Sequence, residues 1–307
     1  MDQIAIIILN WNQPKITKLT IDSLQKISHR GFNYHIYLLD NGSTDNSYSQ
    51  FQELYLNKKQ FTLLRTHDNL GFVGGNNYVL KIAKIKKYNH YLLINNDVEV
   101  KSDFLDILHS YLKKNPSVSL VGPKIYFAKN YEYRKELYSP KDLGKVIWFA
   151  GGKIDWKNVY CSHRGIDEID VGQYDTPLLN PDYLTGCCLL FSHQLLSKLD
   201  GFDNRYYLYL EDADFCVRAR LKKFNFAFVP QSIIWHLNSG SSSAGGSLHD
   251  YFLTRNRLIF GFSYASFRTK LALFRDSVRI FFTSSSIWQK KGIIDFYLFR
   301  FGKGSWQ

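Results

Sequence analysis

Residues 4 to 45, IAIIILNWNQPKITKLTIDSLQKISHRGFNYHIYLLDNGSTD, hold a strand, a helix, a second strand and the turn that starts a second helix. IAIIIL (4–9) and HIYLL (35–39) are short apolar runs rich in β-branched and aromatic residues, the pattern of strands buried on both faces. Between them, residues 14–27 have helix-compatible spacing and begin with Pro14, whose fixed φ suits the first helical position. The unit recurs downstream: FTLL (61–64) and HYLLI (90–94) read as strands, and 45–57 and 74–87 as helices. The order βαβαβαβ predicts an α/β fold, with the first 120 residues forming a mainly parallel sheet sandwiched by helices. Ligands of such sheets gather outside the carboxyl ends of the strands, which is where Asn10, Asp40, Asn95, Asn96 and Asp97 fall.

Beyond this half the pattern is less regular. Residues 124–175 are aromatic and turn-rich and read as loops with small antiparallel strands. Strands are predicted over 183–191 and 226–229, a short helix over 193–198 and a longer one over 211–222. LNSGSSSAGGSLH (237–249) reads as a mobile Ser/Gly loop, and 250–301 as helical, with Arg and Lys alternating with Phe, Leu, Ile and Tyr. The expected division is one large domain over 1–260, in halves 1–122 and 123–260, followed by a basic, aromatic helical C-terminal extension over 261–307.

A hydrophobic fraction of 45% with 16% aromatics supplies a buried core and excludes a disordered chain. The formal charge of +12 predicts attraction to polyanions: nucleic acid, anionic lipid or phosphorylated substrates. No nucleic-acid motif is present and the basic residues spread along the chain, so nucleic acid is not an expected partner. Cys161, Cys187, Cys188 and Cys216 have no CxxC spacing and read as reduced core thiols. The first residues run straight into a strand without a basic n-region, which predicts a cytoplasmic protein. No stretch reaches the ~20 apolar residues of a bilayer span, so any membrane association is expected to be peripheral, on the inner face of the cell membrane.

Four motifs carry chemistry. DNGSTD (40–45) puts Asp40 at a strand end before a sharp turn, and alone is compatible with an ordinary strand-to-helix turn. NLGFVGGNN (69–77) allows close backbone approach through its glycines but is neither a Walker loop nor a strict GxGxxG. INND (94–97) ends a very apolar strand, where a carboxylate is costly unless it meets solvent, a partner or a hard divalent cation. LEDADFCVRAR (210–220) places Glu211 and Asp212 at a helix N-terminus and Asp214 four residues before Arg218, which helix stabilisation alone would explain.

In this order, with TGCCLLF (185–191) and GFD (201–203) before the acidic cluster and WH (235–236) after it, the motifs resemble the family 2 glycosyltransferases over residues 4 to about 260. The NWN start, the NND form and the RNRL tail (255–258) look most like their rhamnosyltransferase-like branch, which builds bacterial surface polysaccharides. The resemblance implies a GT-A fold and inversion at the anomeric carbon. It implies a nucleotide-sugar donor, dTDP-rhamnose or a UDP-hexose, held by Asn10, Asn12, Asp40, Asn69, Gly71, Asn95, Asn96 and Asp97, with Arg255 either on the diphosphate or paired with acids. Asp97 and His236 would bind Mn²⁺ or Mg²⁺, the first acid of the family's DxD being replaced by Asn95. Asp212 would be the catalytic base, with Glu211 next in line, and Gly186 and Glu211 would line the acceptor site. The acceptor would be a saccharide or lipid-linked saccharide. The C-terminal helices suit an anionic membrane surface, core packing or a homo-oligomer interface. A non-catalytic sugar-nucleotide or polyanion-binding module is the alternative function.

Overall fold

The structure, a computed structural model, describes residues 1–237 and 246–306. Its first half alternates strand and helix as the apolar runs require: β1 (Asp2–Asn10), α1 (Pro14–Leu24), β2 (Phe32–Asn41), α2 (Ser47–Tyr55), β3 (Phe61–Thr66), α3 (Gly71–Ile85) and β4 (His90–Ile94). Then come β5 (Val98–Val100), α4 (Phe104–Lys114) and β6 (Val118–Phe127), followed by the short strands β7 (Ile147–Phe149), β8 (Gly152–Asp155), β9 (Tyr160–His163) and β10 (Leu178–Leu179). The second half closes with β11 (Cys188–Ser192), α5 (His193–Leu199), α6 (Glu211–Leu221) and β12 (Asn225–His236), and the C-terminal part with α7 (Ser247–Tyr264), α8 (Phe267–Thr283) and α9 (Ile287–Tyr297).

Among the described residues one sheet runs β10-β12-β6-β11-β4-β1-β2-β3, with β5 on β12 and β7 on β6. β3, β2, β1 and β4 are parallel throughout, and β6 and β12 are parallel to each other. β11 enters antiparallel between β4 and β6. The strand order reverses between β1, whose register with β2 runs from Asp2↔Phe32 to Asn10↔Asp40, and β4 on its other side. That switch point is where such sheets open a ligand crevice. Ile4 to Ile8 are fully buried because helices cover both faces of β1; each large side chain so buried contributes about 1.5–3 kcal/mol. α3 lies against β1 and β2, and α4 against β6 and β12.

The expected elements differ from the structure in five places. β6 extends a strand across 118–123 and into the region expected as loops. The strand expected over 183–191 begins only at Cys188, and that expected over 226–229 is the core of a twelve-residue β12. Of the Ser/Gly loop expected over 237–249, residues 238–245 lie outside the described residues, and Ser247–His249 already belong to α7. α7 also runs through residue 260, and α8 and α9 pack back on it.

Candidate active site

At the carboxyl end of β1, Asn10 is fully buried, so its amide must be satisfied inside the protein. Its Nδ2 donates to Asp40 Oδ1 (3.1 Å) and Ser43 Oγ (3.1 Å), and its Oδ1 accepts from Thr17 Oγ1 (2.7 Å). Asp40 Oδ2 is buried without a hydrogen bond, with Arg65 Nε 3.4 Å away. A buried carboxylate oxygen that has this ion pair but no hydrogen bond keeps acceptor capacity for a ligand N–H. Asn12 takes the left-handed conformation (φ 53°) and its Oδ1 accepts from Thr44 N (2.9 Å), pinning the loop after β1 to the DNGSTD turn.

The next residue after Asp40 carries the lattice onward. Asn41 Nδ2 donates to Asn69 Oδ1 (3.1 Å) and to Gly71 O (3.1 Å), while Asn69 Oδ1 also accepts from Gly71 N (2.8 Å). Gly71 has φ 71°, and a Cβ there would stand 2.5 Å from the Tyr207 ring, so only glycine fits. Tyr207 OH in turn donates to Asn69 O (3.0 Å).

Beyond β4, Asn96 Nδ2 donates to Thr17 Oγ1 (2.9 Å), which ties the INND turn to the Asn10 cluster. Asn95 N donates to Cys187 O (2.9 Å), and the adjacent Gly186 N donates to Asp212 Oδ2 (2.9 Å). Two consecutive residues therefore join the INND turn to the acidic helix. Asp97, 7% exposed, faces the end of β12, with His236 Nε2 3.4 Å from its Oδ1. His236 lies flat on Trp148, ring centroids 4.6 Å apart, and Trp148 meets His163 edge-on at 4.4 Å. Burial lowers His163 to about 4, so that ring is neutral and packs rather than titrates.

Asp212 and Glu211 open α6 behind two consecutive left-handed residues, Tyr209 (φ 73°) and Leu210 (φ 66°). Such backbone costs about 1–3 kcal/mol per residue and persists only where the surroundings enforce it. Asn256 Nδ2 enforces it from α7 by donating to Leu208 O (2.8 Å) and Tyr209 O (2.9 Å). Asp214, expected to pair with Arg218, receives its Nε at 2.6 Å and the Tyr264 hydroxyl at 2.6 Å.

The two leading carboxyls are not equivalent. Burial, and then the neighbouring Asp212 charge, holds Glu211 well above the usual range, and its Oε2 has no hydrogen bond. Burial also raises Asp212, but the N–H groups of Gly186 and Ala213 (2.8 Å) oppose it by favouring the carboxylate. Of the coupled pair, Asp212 therefore keeps the negative charge and Glu211 the proton.

One expected site residue lies elsewhere. Arg255 is fully buried, and its guanidinium donates to Gly302 O (2.7 Å), Arg300 O (3.3 Å), Tyr251 OH (3.4 Å) and Asn256 Oδ1 (3.1 Å), so it is engaged by the C-terminal segment rather than free for a diphosphate. Arg257 pairs with Asp276 (2.7 Å). Conversely, Thr17, Asn41, Tyr207 and Asn256 help hold the site together, a role not expected of any of them. Asn41 and Asn256 sit inside the DNGSTD and RNRL motifs, and Thr17 and Tyr207 lie outside every quoted motif.

Asp97 and His236 suit a divalent cation. Neighbouring ligands of an octahedral ion at ~2.1 Å stand about 3 Å apart, near the observed 3.4 Å. A carboxylate and an imidazole leave most of the shell for the oxygens of a diphosphate and water.

A family model described as glycosyltransferase like family 2 matches residues 2–261. N-acetylglucosaminyl-diphospho-decaprenol L-rhamnosyltransferase of Mycobacterium tuberculosis is 24% identical over 227 residues, which are 70% of this chain and 70% of the relative. O-antigen biosynthesis protein RfbC of Myxococcus xanthus is 23% identical over 276 residues, 87% of this chain but 19% of that much longer protein. Among solved structures, GalNAc-T7 with UDP, GalNAc and Mn²⁺ superposes with a TM-score of 0.62 at 14% identity, covering 95% of this chain and 58% of the other. TarS 1-349 of S. aureus in complex with UDP-GlcNAc gives 0.59 at 15% identity (95% and 79%), and the mannosyltransferase PcManGT of Pyrobaculum calidifontis with GDP-Man and Mn²⁺ gives 0.53 at 12% (99% and 87%). At these identities the likeness is one of fold, and that fold is the expected GT-A arrangement.

Proposed function

This chain belongs to the glycosyltransferase like family 2, and from that premise we propose that it moves a hexosyl group from a nucleotide-diphosphate donor to a saccharide hydroxyl with inversion at the anomeric carbon. The observation that supports this reading is the bridge through Gly186 and Cys187, which ties the INND turn, whose Asp97 faces His236, to the start of α6, where Asp212 sits, beside the switch point of the sheet.

Asp40, through the Oδ2 that has no hydrogen bond, receives the base of the donor nucleotide, and Asn95 the ribose. The Asn69–Gly71 turn supplies closely approaching backbone beside it. Asp97 and His236 would hold Mn²⁺ or Mg²⁺, which would offset the charge gathering on the departing diphosphate. Asp212 accepts the proton of the acceptor hydroxyl as its oxygen bonds to the anomeric carbon, while the bond from that carbon to the diphosphate breaks with its electron pair. Gly186 N orients Asp212 for this, and protonated Glu211 beside it donates to the acceptor. The relative named as a rhamnosyltransferase acting on a decaprenol-diphosphate-linked sugar favours dTDP-rhamnose over a UDP-hexose, and a lipid-linked saccharide at an anionic membrane surface as acceptor.

The test is donor binding and slow hydrolysis across a panel of sugar nucleotides with Mn²⁺ or Mg²⁺, beside Asp97→Ala and Asp212→Asn. One donor bound and hydrolysed, binding lost in Asp97→Ala, and turnover lost but binding kept in Asp212→Asn, is the expected pattern. Turnover at the wild-type rate in Asp212→Asn sinks the base assignment. Donor binding without hydrolysis or transfer in any condition favours a non-catalytic binding module.

A further inference from the structure

We propose that α8 lies in the plane of an anionic lipid bilayer and seats the enzyme on it; the proposal rests on the reading that the acceptor is lipid-linked. Phe267, Leu271, Phe274, Val278 and Phe282 recur at helical spacing along α8 and are all exposed, Phe267 by 76% and Phe282 by 75%. At 3.6 residues per turn they form an outward stripe about 80° wide, while Leu273 and Ser277 are the buried side of the helix. Apolar side chains in water along 17 residues are a standing cost that a soluble surface avoids unless something covers them.

Charge says what covers them. Arg268, Arg275 and Arg279 run along one border of the stripe and Lys270 marks the other. Residues 261–307 contain eight Lys and Arg against two acids, Asp276 and Asp295. Both acids are engaged: Asp276 by Arg257 and Arg279, Asp295 by Tyr251 and Ser305. A second copy packed on the same face about a two-fold axis would bring these basic borders together, whereas an anionic surface neutralises them. Between α8 and α9 a cleft of about 420 Å³, lined by Phe281, Phe282, Ile294 and Leu298 among others, opens beside the stripe and has the chemistry to take a lipid chain. Among the described residues no helix is long and apolar enough to cross a membrane, so attachment by α8 is interfacial.

The experiment is flotation of the full chain with vesicles of neutral phosphatidylcholine and with the same vesicles containing phosphatidylglycerol. The wild type should float with the anionic vesicles and much less with the neutral ones. Phe274→Glu with Phe282→Glu should lower the bound fraction at least about tenfold, and Arg268→Gln with Arg275→Gln should weaken binding to anionic vesicles about thirtyfold. Donor hydrolysis and transfer to a water-soluble saccharide should stay at wild-type rates in all of them, which also reports correct folding. A wild type that does not float, or an apolar double variant that floats like the wild type, overturns the membrane face while leaving the transferase reading intact. A dimer that Phe274→Glu with Phe282→Glu dissociates overturns it in favour of a second copy. Loss of hydrolysis and transfer in the wild type, with flotation preserved, strikes the transferase reading instead.

Discussion

Asn256→Ala removes one side chain that touches no proposed ligand, yet it should disable the active site. Asn256 is fully buried and its Nδ2 donates to Leu208 O and Tyr209 O at 2.8 and 2.9 Å, while its Oδ1 accepts from Arg255 Nε at 3.1 Å. Alanine leaves two carbonyls and one guanidinium N–H without partners in a region that water reaches poorly, at about 1–3 kcal/mol each, so roughly 4 kcal/mol after partial relaxation. At ~2 °C per kcal/mol for a chain of this size, Tm should fall by about 8 °C. The second effect is local. Tyr209 and Leu210 hold left-handed backbone only under this restraint, and Glu211 and Asp212 follow directly, so their release lets the base drift. Well below the lowered Tm, kcat should drop at least about tenfold while donor Kd stays near the wild type, because a small misplacement of a catalytic group is that expensive. Thermal unfolding by circular dichroism and steady-state transfer at a permissive temperature measure the two separately. A Tm shift under about 2 °C, or an unchanged kcat in the folded variant, refutes the latch.

Gly71→Ala should weaken donor binding and lower stability by about 1–3 kcal/mol, since it forces φ 71° on alanine and drives a Cβ to 2.5 Å from the Tyr207 ring; identical denaturant midpoints and donor Kd would rule out the close approach. Transfer should fall off with acid through the Asp212 carboxyl, and because burial raises that group, the acid limb of kcat should lie above the ~3.9 of an ordinary aspartate; a limb at or below it contradicts the buried base. Glu211 is raised too, so the folded state keeps a proton that the unfolded chain gives up once pH passes ~4.3, and stability declines as pH climbs toward the raised value. Glu211→Gln abolishes that decline, so its Tm should exceed the wild type at pH 8 and converge with it near pH 4; an equal gap at both ends means the carboxyl is not held neutral.

The strands that were legible are those whose apolar runs are unbroken. β1, β2, β3 and β4 follow from IAIIIL, HIYLL, FTLL and HYLLI because both faces of a parallel sheet are covered and every side chain must be apolar. β6 escapes that rule: its VSLVGPKIYF contains Gly122 and Pro123, ordinarily turn residues. Pro123 lies beyond the ladder with β11, which pairs only with Leu120 and Val121, and at the register shift that follows its own pairing with Val229 of β12. Of the proposed site residues, Asn10, Asp40, Asn95, Asn96 and Asp97 were legible because they fall at or just beyond the carboxyl ends of β1, β2 and β4, which are neighbours in the sheet. Arg255 misled for a physical reason. An arginine near a proposed phosphate site is a natural ligand in sequence, and nothing in RNRL tells that forty-five residues later a run of backbone carbonyls folds over its guanidinium. The roles of Thr17 and Asn256 were invisible because their work is long-range hydrogen bonding, which leaves no periodicity.

The Arg255 node has a consequence for how such enzymes can be recombined. Gly304, at φ 57°, has no room for a Cβ against the Tyr251 hydroxyl and the guanidinium, and Asp295 from α9 accepts from Tyr251 and Ser305 in the same cluster. The helix that restrains the backbone before Glu211 and Asp212 and the last turns of the described chain are thus one buried polar unit. A chimera joined after residue 262 would strand a charged guanidinium in the interior unless the incoming segment brought its own ring of carbonyls. The C-terminal helices are therefore not a detachable cassette: exchange between relatives requires moving Tyr251, Arg255, Asp295 and Gly304 together, and α8 is best probed by point substitutions that leave this unit whole.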